Sequence, residues 1–235
     1  MTSSTSDIKV LAFDVFGTVV DWHGSIAREI NAMGLGLDGN AFASAWRKGY
    51  IPAMDRVRKG ELGWTKIDHL HRMILDTVLA KFEVTGLSPD AIAHLNKVWH
   101  RLDPWPDTVA GLHRLKSKFT ICTLSNGNLS LLANMAKRAG LPWDLILSAE
   151  VFHHYKPDPE AYLGVGQVFD LPAGQTMLVA AHKEDLRAAA ASGMRTAFVT
   201  RPLEFGAGRT VDISRDAAFD FHATDFLDLA SQLGC

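Results

Sequence analysis

The sequence predicts an α/β protein: a doubly wound, Rossmann-like parallel sheet with a helical cap inserted after its first strand. Three observations carry this. Ile8-Lys9-Val10-Leu11-Ala12-Phe13 is a short, mostly apolar strand that stops on a carboxylate and a Gly-Thr turn, Asp14-Val15-Phe16-Gly17-Thr18. From Asp21 to about His100 the apolar residues recur at helical spacing with few β-branched runs. Beyond that, strand and helix patterns alternate to the C-terminus, the signature of a parallel sheet covered on both faces.

The first strand is expected to end at Asp14, at the edge where open α/β sheets keep their sites. The helical stretch divides into Gly24–Met33, Gly39–Arg58, a helix near Trp64–Phe82 opened by Thr65, and Pro89–His100, with Gly60 and Gly63 breaking the middle. Ser88 before Pro89 is a capping residue followed by proline at the first helical position. Asp103-Pro104-Trp105-Pro106-Asp107 is stiff and nonhelical and returns the chain to the sheet. The following elements are helix Thr108–Lys116, strand Phe119–Thr123, helix Leu129–Ala139, strand Leu145–Leu147, helix Pro159–Phe169 and strand Thr176–Ala180. Helix Asp185–Ser192, strand Arg195–Thr200 and helix Asp225–Leu233 complete the series. The expected division is a core of residues 1–20 and 101–235 with a cap of residues 21–100.

With 235 residues, 47% of them hydrophobic, the chain is long enough for a full core. A net charge of -2 gives no electrostatic reason to expect nucleic acid or an anionic membrane as partner. Cys122 and Cys235 make neither a disulfide framework nor a zinc set, so a reducing cytoplasm is the default. Met1 to Asp7 is a polar tail without a signal-type apolar region, and no apolar run approaches the roughly 20 residues of a membrane span.

Strand ends of a doubly wound sheet converge on one edge, so their residues are read together. Asp14 is the candidate nucleophile. The second core strand leads into Ser125-Asn126-Gly127, hydroxyl and amide groups suited to a carboxylate or oxyanion. Lys156, in Tyr155-Lys156-Pro157-Asp158, supplies an ammonium that keeps a neighbouring carboxylate ionised. Ala180-Ala181-His182-Lys183-Glu184-Asp185 adds a second carboxylate, with Asp185 also readable as a helix N-cap. Ser125 and Asn126 have an Asx-type turn as their structural alternative, and Arg47 a solvated helix face.

Asp14, Thr18, Ser125, Asn126, Lys156 and Asp185 reproduce the four-motif order of the haloacid dehalogenase superfamily, which the chain resembles over nearly its whole length. Within it the sequence is most similar to the type II (L-2-haloacid) dehalogenases. Phe16 stands where phosphatases of the superfamily carry a proton-donating Asp, and Trp46-Arg47, Ser125-Asn126-Gly127, Tyr155 to Asp158 and Tyr162 match the dehalogenase pattern. The resemblance implies that Arg47, Asn126 and Phe16 receive the halide. It implies further that Val15, Phe16, Thr18, Ser125, Asn126 and Tyr162 line the substrate site, and that Asp14 forms an ester. Water oriented by Asp185, Lys156 and His182 would then hydrolyse that ester to a 2-hydroxy acid of inverted configuration. It implies no metal, no organic cofactor, a small 2-haloacid as the partner molecule, and a homodimer. One departure stands out: Ala180-Ala181-His182 replaces the Ser-Ser-Asn of well-known members, leaving His182 in place of an amide. A Mg²⁺-dependent phosphatase or phosphonatase-like hydrolase, and a catalytically silent binding protein, are the rival readings.

Overall fold

A computed structural model describes residues 7–235; the polar tail before them lies outside the described residues. Its six-stranded sheet has the order β5-β4-β1-β6-β7-β8, with all pairs parallel. The strands are β1 (Val10–Phe13), β4 (Thr120–Ser125), β5 (Leu145–Ser148), β6 (Thr176–Ala180), β7 (Arg195–Val199) and β8 (Phe221–Ala223). Two short strands, β2 (Val20–Asp21) and β3 (Asp103–Pro104), form a separate antiparallel pair. Between them run α1 (Trp22–Ala32), α2 (Gly39–Lys48), α3 (Tyr50–Arg58), α4 (Ile67–Lys81) and α5 (Pro89–Asn96). The remaining helices are α6 (Thr108–Lys116), α7 (Leu129–Ala139), α8 (Ala149–Phe152), α9 (Pro159–Val168), α10 (Lys183–Ala191) and α11 (Phe226–Gln232).

Both faces of the sheet are covered, which is why its strands read as continuous apolar runs. Alternation along β1 assigns the faces: Val10 and Ala12 pack with Leu178, Leu186 and Phe198 under α9 and α10, while Leu11 and Phe13 pack with Leu112, Leu131 and Phe226 under α6, α7 and α11. The second cluster continues without a break into the helical segment through Ile26, Phe42, Trp46, Leu70 and Trp99. Because β1 is flanked by β4 on one side and β6 on the other, the strand order reverses there, and the residue after β1 faces the crevice of an open α/β sheet.

The loop that carries this residue is fixed from several directions. Trp105 Nε1 donates to Gly17 O (2.9 Å), Thr108 Oγ1 to Val19 O (2.8 Å) and Arg201 Nε to Thr18 O (2.8 Å). Arg201 is itself held by a bidentate pair with Asp107 at 2.7 and 2.9 Å. Gly17 has φ +87, and a Cβ there would lie 2.3 Å from Glu204 Oε1, so glycine is required both by conformation and by space.

The expected parallel α/β fold is present, with local corrections. The expected helix Gly39–Arg58 is two helices, because Pro52 has no N–H to give to Lys48 and α2 stops at that residue. Thr65 does not open the third helix: its hydroxyl donates to Gly63 O, and α4 starts at Ile67. Ser88 does cap α5, accepting from Ala91 N, but the α-helix ends at Asn96 and a 3-10 turn covers Lys97–His100. The helix expected from Asp185 starts at Lys183 with His182 as N-cap, which moves Asp185 into its first turn. Strand β8, helix α8 and the β2–β3 pair were not expected; each is four residues or shorter, too short to show a period.

Candidate active site

Four chain segments deliver the site to one edge of the sheet. Asp14 follows β1, Asn126 follows β4, Lys156 comes from the loop after α8, and His182 and Asp185 come from the end of β6 and the first turn of α10. Asn126 fixes the Lys156 loop through both ends of its amide. Its Oδ1 accepts from Lys156 N (2.7 Å) and its Nδ2 donates to Lys156 O (3.3 Å).

Lys156 Nζ then bridges two carboxylates, at 2.9 Å from Asp14 Oδ1 and 2.5 Å from Asp185 Oδ2. The second oxygen of Asp185 accepts from the Tyr162 hydroxyl (2.6 Å), and Asp14 Oδ2 accepts from Thr18 Oγ1 (2.6 Å). Thr18 is oriented in turn by Ala181 N, which donates to its oxygen (2.9 Å). Burial works against the charge of Asp14, but Lys156, His182 and the Thr18 hydroxyl outweigh it and hold the carboxyl well below the usual carboxylate range. Burial likewise opposes the Lys156 ammonium, and the two carboxylates hold it above its ordinary value. Burial and Asp185 together keep the Tyr162 phenol protonated, so it is a donor.

His182 makes a connection that spacing did not reveal. Its Nδ1 lies 3.1 Å from Asp14 Oδ2 and its Nε2 2.8 Å from Oε1 of Glu204, a carboxylate whose side chain is 1% exposed. Trp22 Nε1 donates to the same Glu204 oxygen (3.2 Å). Burial disfavours the charged ring, but Glu204 and Asp14 overcome this and push the imidazole up to about 10. His182 is therefore a doubly donating imidazolium at neutral pH.

Above Asp14 is a cavity of about 990 Å³ walled by Phe16, Arg47, Tyr50, Met54, Asn126 and His182, among others. Arg47 stacks over the Tyr50 ring (4.1 Å) and forms no ion pair among the described residues; its buried Nη1 has no hydrogen-bond partner. Phe16 meets Tyr50, His71 and Trp99 edge-on, in an aromatic box behind the cavity.

Asp14, Arg47, Phe16, Asn126, Lys156, Tyr162, His182 and Asp185 are thus brought to one cavity. Three expected lining residues are not on its wall. Val15 is buried in the apolar core, and Thr18 is buried as a donor to Asp14. Ser125 is buried with its oxygen accepting from Gly127 N (3.0 Å), the turn alternative. Asp185 does not cap α10, since both its oxygens point at Lys156 and Tyr162. Sequence reasoning missed Glu204 and Tyr50; the only signal for Glu204 was an acid in a loop after a core strand. Among the described residues no three or more His, Cys, Asp or Glu side chains are grouped to hold a metal ion, and no helix is long and apolar enough to cross a membrane.

The chain is similar to known proteins over most of its length. Residues 8–193 match the family model described as haloacid dehalogenase-like hydrolase. The (S)-2-haloacid dehalogenase 4A of Burkholderia cepacia is 25% identical, over 83% of this chain and 84% of its own. A phosphoglycolate phosphatase of Neisseria gonorrhoeae is 32% identical, over 92% and 88%. Two solved L-2-haloacid dehalogenases are similar throughout. One is 45% identical with TM-score 0.92, covering 97% of this chain and 100% of that one. The other, described as defluorinating, is 44% identical with TM-score 0.93, covering 97% and 96%. From the strand-end constellation, the shared fold and the match across most of its length, the chain belongs to the haloacid dehalogenase-like hydrolase family.

Proposed function

We propose that this hydrolase is a dehalogenase of short 2-haloalkanoic acids that works through an ester on Asp14, with α1–α5 (within residues 21–100) serving as the cap. One observation carries the reading: an ionised, clamped Asp14 shares a cavity with the unpaired Arg47, and Phe16 stands where an alcohol leaving group would need an acid. Halide needs no proton on departure, and an unpaired guanidinium suits it. The similarity to (S)-2-haloacid dehalogenases supports the same substrate class.

Asp14 Oδ2 accepts from both Thr18 and His182, whereas Oδ1 accepts from Lys156 alone. Oδ1 is the oxygen that attacks the carbon bearing the halogen, whose bonding electrons leave with the halide toward Arg47, Asn126 and the Phe16 edge. The substrate carboxylate is held at the loop that follows Asp14, by the backbone N–H of Phe16. Inversion at carbon converts an L-2-halo acid into a D-2-hydroxy acid.

In the ester, Oδ2 is the carbonyl oxygen, and Thr18 and His182 still face it. Water then attacks Asp14 Cγ, and these two donors hold the oxyanion that forms. Asp185, fixed by Lys156 and Tyr162, orients that water. One of its protons passes to the departing Oδ1 and the other to solvent, which restores the Asp14 carboxylate. His182 acts as an acid-side donor, with Glu204 keeping it charged after the negative charge of Asp14 is lost.

The test is halide release from chloroacetate and from each enantiomer of 2-chloropropionate, with and without EDTA, beside a Mg²⁺-supplemented phosphatase assay. Chloride release that is EDTA-resistant, L-selective and abolished in Asp14→Asn is expected. The phosphoglycolate phosphatase relative favours one alternative, and Mg²⁺-dependent phosphate release without halide would establish it instead. A single turnover in ¹⁸O-water is expected to leave the product hydroxyl unlabelled and Asp14 labelled. Sedimentation checks the homodimer.

A further inference from the structure

A second cavity, of about 380 Å³, shares Arg47 and Phe205 with the first and is otherwise walled by Trp22, Ser44, Lys48, Arg209 and Thr210. Its lining contains three cations and no carboxylate. Apart from the shared Arg47, the lysines and arginines walling the first cavity are all paired. Lys156 lies between Asp14 and Asp185, Arg58 pairs with Asp55 and Asp158, Lys183 with Asp212, and Arg187 with Glu184 and Asp216. Among the described residues neither Arg47, Lys48 nor Arg209 forms an ion pair.

Arg47 and Lys48 end α2, where a cation offsets the partial negative charge of the helix C-terminus. Arg209 has no such reason to be there. It belongs to the loop after β7, and it brings a third positive charge to the same small volume from a different part of the chain. Three cations without counter-ions repel one another, and a small anion among them relieves that repulsion. The hydroxyls of Ser44 and Thr210 add neutral donors.

We propose that this second cavity is a binding site for the halide product, with Arg47 as the group shared between the place of bond cleavage and the way out. This rests on the dehalogenase reading. The carbon–halogen bond breaks with both electrons on the halogen, and the halide first meets Arg47 in the reaction cavity. Lys48 and Arg209 then draw it across Arg47, so that product leaves by a different opening from the one that admits the acid. Separation of the two anions matters chemically. A halide left beside Arg47 fills the place that the halogen of the next substrate must take.

The test uses bromide, whose anomalous scattering locates it, on wild-type crystals and on the Lys48→Gln/Arg209→Gln double variant, with acetate in a parallel soak. Bromide is expected between Arg47, Lys48 and Arg209 in the wild type and absent from that cavity in the variant. Bromide affinity measured in solution is expected to fall at least about fivefold in the variant, the effect of one partly screened charge. The single-turnover rate of ester formation is expected to stay at the wild-type value. No bromide in the second cavity, or an unchanged affinity in the double variant, overturns the proposal. Equal occupancy by acetate overturns the halide assignment in favour of a carboxylate-admitting route. Chloride release from L-2-chloropropionate is measured on the same preparations. Bromide bound without chloride release removes the reaction reading and leaves the anion site; chloride release without bound bromide removes the site alone.

Discussion

Replacing Glu204 by Gln tests the role assigned to His182 most directly, because it removes one charge and keeps a hydrogen-bonding group of the same size. The rise of the imidazole from 6.5 to about 10 corresponds to roughly 5 kcal/mol in favour of the charged ring. Glu204 is the largest contribution in that direction, and Asp14 supplies much of the remainder. Once Asp14 is an ester its charge is gone, so in Glu204→Gln nothing anionic faces the ring while its burial persists. The ring then becomes neutral near physiological pH, and Oδ2 faces at most a neutral donor where it had a charged one. Outright loss of one such donor slows acyl chemistry by about 10²–10³, which is the upper bound of the effect. The first step is expected to respond the other way. A weaker donor on Oδ2 leaves the Asp14 carboxylate less stabilised and no worse as a nucleophile.

Rapid-quench turnover of L-2-chloropropionate at pH 8, with chloride and 2-hydroxypropionate followed separately, resolves the two steps. In the wild type both products are expected to appear together. In Glu204→Gln chloride is expected in a burst, with the ester on Asp14 accumulating in the intact-protein mass. The sign of the pH dependence decides between donor and base. With Asp14 ionised the charged ring prevails below about 10; in the ester Glu204 alone raises it, so wild-type hydrolysis holds steady while the ring stays charged and falls as pH climbs through a value between 6.5 and about 10. In the variant the same falling limb moves toward neutrality. A hydrolysis rate that rises with pH toward 10, or a variant with unchanged ester hydrolysis, would refute the donor role and make the neutral imidazole the working form.

Gly17→Ala places a methyl group at φ +87 and 2.3 Å from Glu204 Oε1; it is expected to reproduce the ester accumulation of Glu204→Gln and to lower stability by about 1–3 kcal/mol, read by urea unfolding. Lys156→Met removes the ammonium that bridges Asp14 and Asp185, and loss of one partner of a buried pair is expected to cost about 3–5 kcal/mol together with dehalogenase activity. His71 is fully buried, both ring nitrogens lack partners, and burial lowers it to about 3. Its neutral ring contributes stability that is present above the unfolded value of about 6.5 and lost as pH falls from there toward 3, about 2 kcal/mol by pH 5. Urea midpoints at pH 5 and 7.5 are expected to converge by that amount in His71→Phe, and equal gaps in the two proteins would show that His71 does not carry the effect.

The parts of the fold legible in the sequence were those with a strong period. β1 and β6 are buried on both faces and read as apolar runs, and α7 carries a clear amphipathic face, so these stood close to where they were expected. The Gly39–Arg58 stretch was misread because helical spacing persists across Lys48–Tyr50, and the single missing N–H of Pro52 is a weak signal against it. In the site, Asp14, His182 and Asp185 were visible because each lies close after a strand end and the sheet carries them to one edge, whereas Lys156 lies beyond α8 and was visible through its Tyr-Lys-Pro-Asp setting. Glu204 follows β7 by several residues in a loop without periodicity. Its partner Trp22 lies 182 residues away in sequence, so their contact exists only in three dimensions. Ser125 failed for a different reason: a hydroxyl beside a turn can serve either a ligand or the backbone, and Gly127 N engages its oxygen.

The arrangement of charges explains why one cation of the site is left unpaired. Under the proposed reaction a negative charge leaves Asp14, where Lys156 and His182 hold it, and reappears on the halide. Stabilising only the starting carboxylate would raise the barrier, since that interaction is strongest before the carbon–halogen bond breaks. Arg47 has no carboxylate in the ground state, so its stabilisation grows as the halide forms. Had Arg47 been paired like Arg58 or Lys183, the departing halide would have had to displace a protein carboxylate from it. The two halves of the site are therefore complementary in time: Arg47 serves bond cleavage, and the His182–Glu204 pair serves the hydrolysis that follows. The clamp that makes Asp14 a weaker nucleophile is the same one that holds its oxyanion one step later.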